Sequence, residues 1–163
     1  MMEISFYREK LSESGHRVLN SSIEESQRRY NYYLGLEHLF IGFADQEKPL
    51  FRELMSSIGL NVEAVLYSVN EHLNISRQYL GVGLKVPPAT KQVFRVAWET
   101  AQRNRRTQID ASDLFLGIFH EVHSIPARIL KSYGVDPAQA LSRFSSQLRT
   151  REEKVEEYRK RYE

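Results

Sequence analysis

The run His120-Glu121-Val122-His123 sets two imidazoles and a carboxylate side by side, the residue types that hold a zinc ion. The spacing is wrong for it. A helical H-E-x-x-H site needs histidines four apart on one face, and here they are three apart. A catalytic zinc site takes three protein ligands, and no further ligand is evident beside these two histidines. They read as solvated helix-end histidines, and no metal is expected. Other reactive groupings are missing too. The sequence has no G-x-x-x-x-G-K-[ST] loop to cradle phosphates and no G-x-S-x-G elbow, and Gly81-Val82-Gly83 is not followed by the rest of a dinucleotide fingerprint. With no cysteine there is no thiolate nucleophile, no thiolate zinc site and no disulfide framework. No enzyme chemistry and no cofactor are expected.

Two clusters carry a different kind of chemistry. Arg28-Arg29-Tyr30-Asn31-Tyr32-Tyr33 and Arg103-Asn104-Arg105-Arg106 mix cations with aromatic or amide groups. Such mixtures can track a single-stranded nucleic acid by stacking and phosphate pairing. A formal net charge of +2 is too small to argue for that by itself. The alternative is local: arginines in a last helical turn complement the negative end of the helix dipole, and tyrosines lie half-buried with wet hydroxyls.

The two clusters stand 75 positions apart, and so does much else. "LFIGF" at 39–43 falls on "LFLGI" at 114–118, Val18 on Val93, Gln27-Arg28 on Gln102-Arg103, Gly59 on Gly134, Leu66 on Leu141. The apolar positions Leu11, Val18, Leu19 and Ile23 fall on Val86, Val93, Phe94 and Trp98 at helical spacing. Ser22 and Ser26 fall on Ala97 and Ala101, small residues that permit close helix packing. Gly134 ends a helix, Asp136 caps the next and Pro137 opens it; Gly59 and Asn61 do the same in the first half. Asp110 with Asp113 forms a capping box ahead of the second "LF" run, where Gly35 caps the first more weakly.

The resulting expectation is all-α: four helices per half, at about 11–30, 36–44, 49–58 and 61–73, then about 87–105, 111–120, 124–133 and 136–148. Neither half can bury its apolar face alone, so two copies share one core with Leu39, Phe40, Leu114 and Phe115 in it. Repeat one spans 8–73, the Gly- and Pro-bearing linker 74–86, and repeat two 87–148. The stretch 149–163 is charged, with Glu156–Lys160 and Glu157–Arg161 at i,i+4, and reads as an exposed helical linker or tail. Leu148, Val155 and Tyr162 lie seven apart and hint at a short contact stripe. No segment reaches the ~18 apolar residues of a membrane span. No apolar run near the start marks a secretory signal. A cytoplasmic location and no membrane partner are expected.

With both copies aligned, the sequence resembles the Clp N-terminal domain, the double Clp repeat at the front of Clp-family AAA+ unfoldases, closest to the ClpC branch. The family's "G-T-E-H-L-L-L-G-L" box is matched by Gly35-Leu36-Glu37-His38-Leu39-Phe40-Ile41-Gly42-Phe43 and, more loosely, by Asp110 to Ile118. Its later box is best kept as Ser124 to Leu130 followed by Gly134-Val135-Asp136. The resemblance covers roughly residues 8 to 148. It implies a non-catalytic module that receives substrates and adaptor proteins for a Clp ATPase ring in ATP-dependent proteolysis. In the ClpC branch it also implies phosphoarginine recognition by the box Glu and a Thr-Glu pair opening each first helix. Position by position, Glu37 is kept and Ser12-Glu13 stands for the Thr-Glu pair. In the second repeat Ser112 replaces the Glu and Pro87 replaces the Thr, so that repeat departs from the pattern. Ser12, Glu13 and Glu37 are therefore the candidate substrate- or adaptor-binding residues. The alternatives are a stand-alone Clp-repeat accessory protein that docks on a Clp complex in trans, and a helical nucleic-acid binder using the Arg/Tyr clusters.

Overall fold

The computed structural model describes residues 3–75 and 83–162. Helices α1 (Ile4–Arg8), α2 (Glu13–Arg28), α3 (Leu36–Gln46), α4 (Lys48–Ser57) and α5 (Val62–Asn74) precede the linker; α6 (Pro88–Arg103), α7 (Ala111–Phe119), α8 (Ile125–Ser132) and α9 (Pro137–Tyr162) follow it. The chain is all-α, and no strand forms among the described residues. Apart from α1, the helices fall into two sets of four in the same order, α2–α5 and α6–α9.

Several ends are set by the residues that the sequence marks for the purpose. Gly59 and Gly134 adopt φ +74° and +83° after α4 and α8. In each case the N–H of the next residue closes back on the helix, Leu60 on the Met55 carbonyl and Val135 on the Leu130 carbonyl, both at 3.0 Å. Asn61 and Ser124 side chains accept from Ala64 N–H (2.9 Å) and Ala127 N–H (3.2 Å). Helices α2 and α6 end in the same closure without glycine. Tyr30 (φ +58°) and Arg105 (φ +59°) occupy the left-handed position 75 residues apart, and Asn31 and Arg106 N–H return to the Ser26 and Ala101 carbonyls at 3.0 and 2.8 Å. The Arg clusters thus stop at a backbone reversal that each repeat makes alike.

Within each repeat the first two helices touch backbone to backbone. A Cβ on Gly42 would lie 2.2 Å from Ser22 Oγ and 2.8 Å from the Val18 carbonyl oxygen; one on Gly117 would lie 2.8 Å from the Val93 carbonyl oxygen. Ser22, Ser26, Ala97 and Ala101 are fully buried at these contacts, as small residues there require. Between repeats, α3 and α7 meet at the centre. Phe40 and Phe115, equivalent residues, stack with centroids 6.1 Å apart, and Phe43 stacks on Phe115 at 4.5 Å. Phe51, Phe119 and Phe144 close around them edge-on, at 5.2 Å (Phe40–Phe51), 6.1 Å (Phe40–Phe119) and 5.0 Å (Phe115–Phe144). Leu39, Phe40, Leu114 and Phe115 are all buried, as the repeat demands.

Three features differ from the expected layout. The N-terminal helix α1 was not foreseen, because five residues are too few to show a period. It lies on repeat two, with Tyr7 against Phe94 (6.4 Å) and Lys10 over the Trp98 ring (5.5 Å). Helix α9 does not stop near 148 but runs unbroken to Tyr162. Leu148 is its last buried residue, while Val155 and Tyr162 stand 49% and 67% exposed, so beyond Leu148 the seven-residue stripe is not buried; Tyr162 packs on Tyr158 of the same helix. Neither Glu156–Lys160 nor Glu157–Arg161 is an ion pair among the described residues; the one that ties the extension down is Arg151–Glu53 (3.0 Å), to α4. Of the linker, 76–82 lie outside the described residues. Its far end is held by Lys85, which accepts from Leu34 N–H (2.8 Å) and donates to the Tyr32 carbonyl (2.9 Å).

Phe115→Ala removes the ring common to both stacks and to the Phe144 contact. It is expected to lower unfolding stability by about 3–5 kcal/mol with an unchanged urea m-value, whereas Tyr67→Ala, on an exposed ring, changes it by less than about 0.5 kcal/mol.

Candidate functional site

The two repeats interlock at two equivalent points, and these place the candidate residues. At the first, Leu11 pairs with Ile109, Ser12 N–H donates to the Ile109 carbonyl (2.9 Å), and Ala111 N–H donates to Ser14 Oγ (3.1 Å). At the second, Tyr33 pairs with Lys85, and Thr90 Oγ1 donates to the Leu34 carbonyl at 2.6 Å. The start of each repeat's first helix therefore lies on the box of the other repeat. Ser12 and Glu13 face the second box and Glu37 faces the start of α6; the structure does not bring the three candidates together. The reason is topological, since the start of each first helix docks on the other repeat's box rather than on its own.

Ser12 caps α2 by accepting from Gly15 N–H (3.3 Å), and its hydroxyl also bonds Ser14 (3.1 Å). Glu13 is exposed and pairs with Arg17 at 3.0 Å. Glu37 is different. It sits in the first turn of α3, only 7% exposed, and folds back over Gly35 so closely that a Cβ there would be 1.9 Å from its Oε1. Burial pushes its carboxyl above the ordinary carboxylate range, while its own backbone N–H and the charge of His72 pull the other way. It opens into a cleft of about 350 Å³ between the repeats, walled by Pro87, Ala89 and Ile125 and bordered by Tyr33, Glu121 and His123. Two carboxylates, an aromatic edge and apolar walls suit a cationic head on an apolar stem. The hydroxyls nearby are committed: Thr90 to Leu34 and Ser124 to its helix cap. Of these cleft residues the sequence reading singled out Glu37 as a site residue and noted Tyr33, Pro87, Glu121 and His123 for other reasons. Thr90 was not among them, and what gathers all of them at one cleft is the interlock, which has no signature in one dimension.

Behind Glu37 lies a polar pair with a counterpart in the other repeat. His38 Nδ1 accepts from Gly35 N–H (3.0 Å), so Nε2 carries the proton and donates to Asn31 Oδ1 (2.9 Å). In repeat two, Asp113 Oδ2 accepts from Asp110 N–H (2.8 Å) and Asp113 pairs with both guanidinium nitrogens of Arg106 (2.5 and 2.7 Å). His38 matches Asp113 and Asn31 matches Arg106. The same cap is thus built once from neutral groups and once from an ion pair. Burial, with the charge of Arg29 adding to it, lowers the His38 imidazole to about 4. Arg28 and Arg29 do not form an open basic patch, because both pair with Glu25. No helix of the described residues is long and apolar enough to cross a membrane.

The family model described as the Clp repeat (R) N-terminal domain matches residues 10–133. The chain belongs to the Clp repeat N-terminal domain family. Curated relatives include the chloroplastic chaperone ClpC2 of Oryza sativa subsp. japonica, 24% identical over 130 residues that make up 80% of this chain and 14% of the relative. The chloroplastic ClpC2 of Arabidopsis thaliana is likewise 24% identical, over 80% of this chain and 14% of its own length. The chain spans about a seventh of these relatives. Solved structures share the fold: the Hsp104 N-terminal domain from Candida albicans (TM-score 0.73, 14% identity, 83% of this chain and 89% of that one), the ClpD N-terminal domain from Arabidopsis thaliana (0.68, 17%, 86% and 96%) and a ClpV N-domain in complex with a VipB peptide (0.63, 16%, 87% and 93%). The Clp-repeat resemblance read from the two boxes is therefore a membership in that family, and the fold is that of the Clp N-terminal domains.

The depressed His38 value makes stability depend on pH. Above the unfolded value of 6.5 the neutral ring is favoured in both states; below it the unfolded chain takes up a proton that the folded chain refuses until about 4. Stability is expected to fall by about 3 kcal/mol between pH 6.5 and 4 relative to His38→Gln, which keeps a cap acceptor but does not titrate. Urea midpoints of the two proteins across that window measure the difference, and parallel curves would contradict it.

Proposed function

We propose that the chain is a non-catalytic substrate- and adaptor-binding module of a Clp ATPase system, acting with the ring in cis or in trans. The carrying observation is Glu37, a buried carboxylate at the mouth of a cleft between the repeats, in a chain whose family fronts such machines. On this reading the cleft receives an arginine side chain of a substrate or adaptor. Its methylenes lie on Pro87, Ala89 and Ile125, and its guanidinium meets Glu37 with Glu121 opposite. A segment held by one side chain can be passed on, which suits a receiving module. The ClpV N-domain bound to a VipB peptide supports the view that this fold takes peptides.

Phosphoarginine is the finer form of the proposal. Its guanidinium would sit as above, and its phosphate would reach His123 at the cleft border. Pro87 and Pro88 have no N–H to offer it at the start of α6. Ser12 and Glu13, at the opposite interlock, would serve a second and shallower contact. A nucleic-acid reading has less support, since Arg28 and Arg29 are engaged by Glu25.

Calorimetry with matched peptides bearing Arg, phosphoarginine or Gln at one position tests this. Arg and phosphoarginine peptides are expected to bind tighter than the Gln peptide, and Glu37→Gln to weaken both about tenfold or more. Equal binding of all three peptides would sink the cleft assignment, and loss of the Arg but not the phosphoarginine preference would move the phosphate form elsewhere.

A further inference from the structure

Superposing the repeats by their 75-residue offset exposes an asymmetry at the far end of the first helix. In repeat one a notch between the ends of α2 and α5 is filled from within. Arg29 reaches across it to Glu25 (2.6 Å), to Asn74 (3.0 Å) and to Asn70, and Arg28 joins Glu25 from outside. Glu25 is the carboxylate that all this cationic charge is set against, and it is only 9% exposed.

In repeat two all of these positions but Arg28 change. Glu25 becomes Thr100, so the carboxylate is gone. Arg29 becomes Asn104, so the plug is gone. Arg28 remains as Arg103, and Asn74 becomes a second cation, Arg149. What remains is an open groove of about 390 Å³ with Arg103 and Arg149 on it and Thr100, Ser112 and Ser145 along its sides. Arg103 and Arg149 are exposed and form no ion pair among the described residues. Arg106 also lines the groove but is engaged by Asp113 and Asp110.

We infer that the groove between the C-terminal end of α6, the start of α7 and α9 is a second binding site, for one anionic side chain of a protein partner, a carboxylate or a phosphate held by Arg103 and Arg149. The partner's anion takes the role that Glu25 plays within repeat one, with the hydroxyls of Ser112 and Ser145 as further donors. Guanidinium forks match both anions in geometry. A polyanion fits badly. Asp113 and Glu152 also line the groove and leave it close to balanced once one anion is bound, which favours an acidic protein segment over a nucleic-acid strand. The site lies apart from the Glu37 cleft, shares none of its residues, and does not depend on that reading.

Fluorescence anisotropy on the 163-residue chain, with a fluorescein-labelled Glu-Ser repeat peptide at low salt, tests the site. Saturable binding is expected, with none for a Gln-Ser peptide and tighter binding for a phosphoserine version. R103Q/R149Q should weaken binding about tenfold or more, and R95Q, which removes a distant surface arginine, should not. T100E provides an independent variant. It restores in cis the carboxylate that repeat one carries, and should abolish peptide binding while urea unfolding shows an intact fold. The inference is overturned if the acidic peptide does not bind, if T100E or R103Q/R149Q binds it as the unaltered chain does, or if a labelled oligothymidylate binds tighter than the peptide.

Discussion

The stacking of Phe40 on Phe115 is the contact that the rest of the molecule is arranged around. These are the same residue of two copies of one motif, and they meet where the copies face each other. A helix as short as α3 or α7 has little stability of its own. Each gains it by burying its aromatic face against the other copy. Gly42 and Gly117 allow α2 and α6 to press close behind, so that the box helices are held from two sides. A single repeat would leave this face in water, which is why the motif occurs twice in one fold rather than once.

Facing two copies across such a core brings the start of each first helix onto the other copy's box. The clefts of the molecule are consequences of that exchange. Glu37 meets residues 87–90 and 121–125 because α6 crosses it, and Ser12 meets 109–111 because α2 crosses in return. A carboxylate in that position is already largely withdrawn from water. Its preference for a cationic partner is therefore strengthened by the same burial that raises its proton affinity. On the proposed reading, fold and recognition are coupled through one piece of packing.

The copies keep their shape while diverging in charge. His38 with Asn31 and Asp113 with Arg106 close the same cap, one neutral and one ionic. Arg29, held by Glu25, fills a notch in repeat one that repeat two leaves open between two arginines. Backbone geometry constrains the apolar and small residues tightly, since a change of one methyl at Gly42 or Gly117 meets a carbonyl oxygen. It constrains polar partners only to satisfy one another, which several pairs of residue types can do. Divergence collects in the polar positions, and recognition can differ between two halves of one fold.

Much of this was legible in one dimension because it is periodic or local. Helical spacing marked the core stripes, the gapless offset marked the repeat, and Gly134, Asp136 and Asn61 marked helix ends by backbone preferences that need no distant partner. Glu37 was recognisable from the box around it. The short α1 carried no period, and the continuation of α9 past Leu148 could not be told from a new segment, because a charged helix looks alike whether or not it is joined to a packed one. What tertiary structure alone decided is which candidates share a site. Ser12, Glu13 and Glu37 stand in one repeat of the sequence but at opposite interlocks of the fold, since packing across the pseudo-axis pairs each box with the other repeat's first helix. Sequence determines a residue's own preferences; its neighbours from 50 or more positions away are set by which buried faces meet.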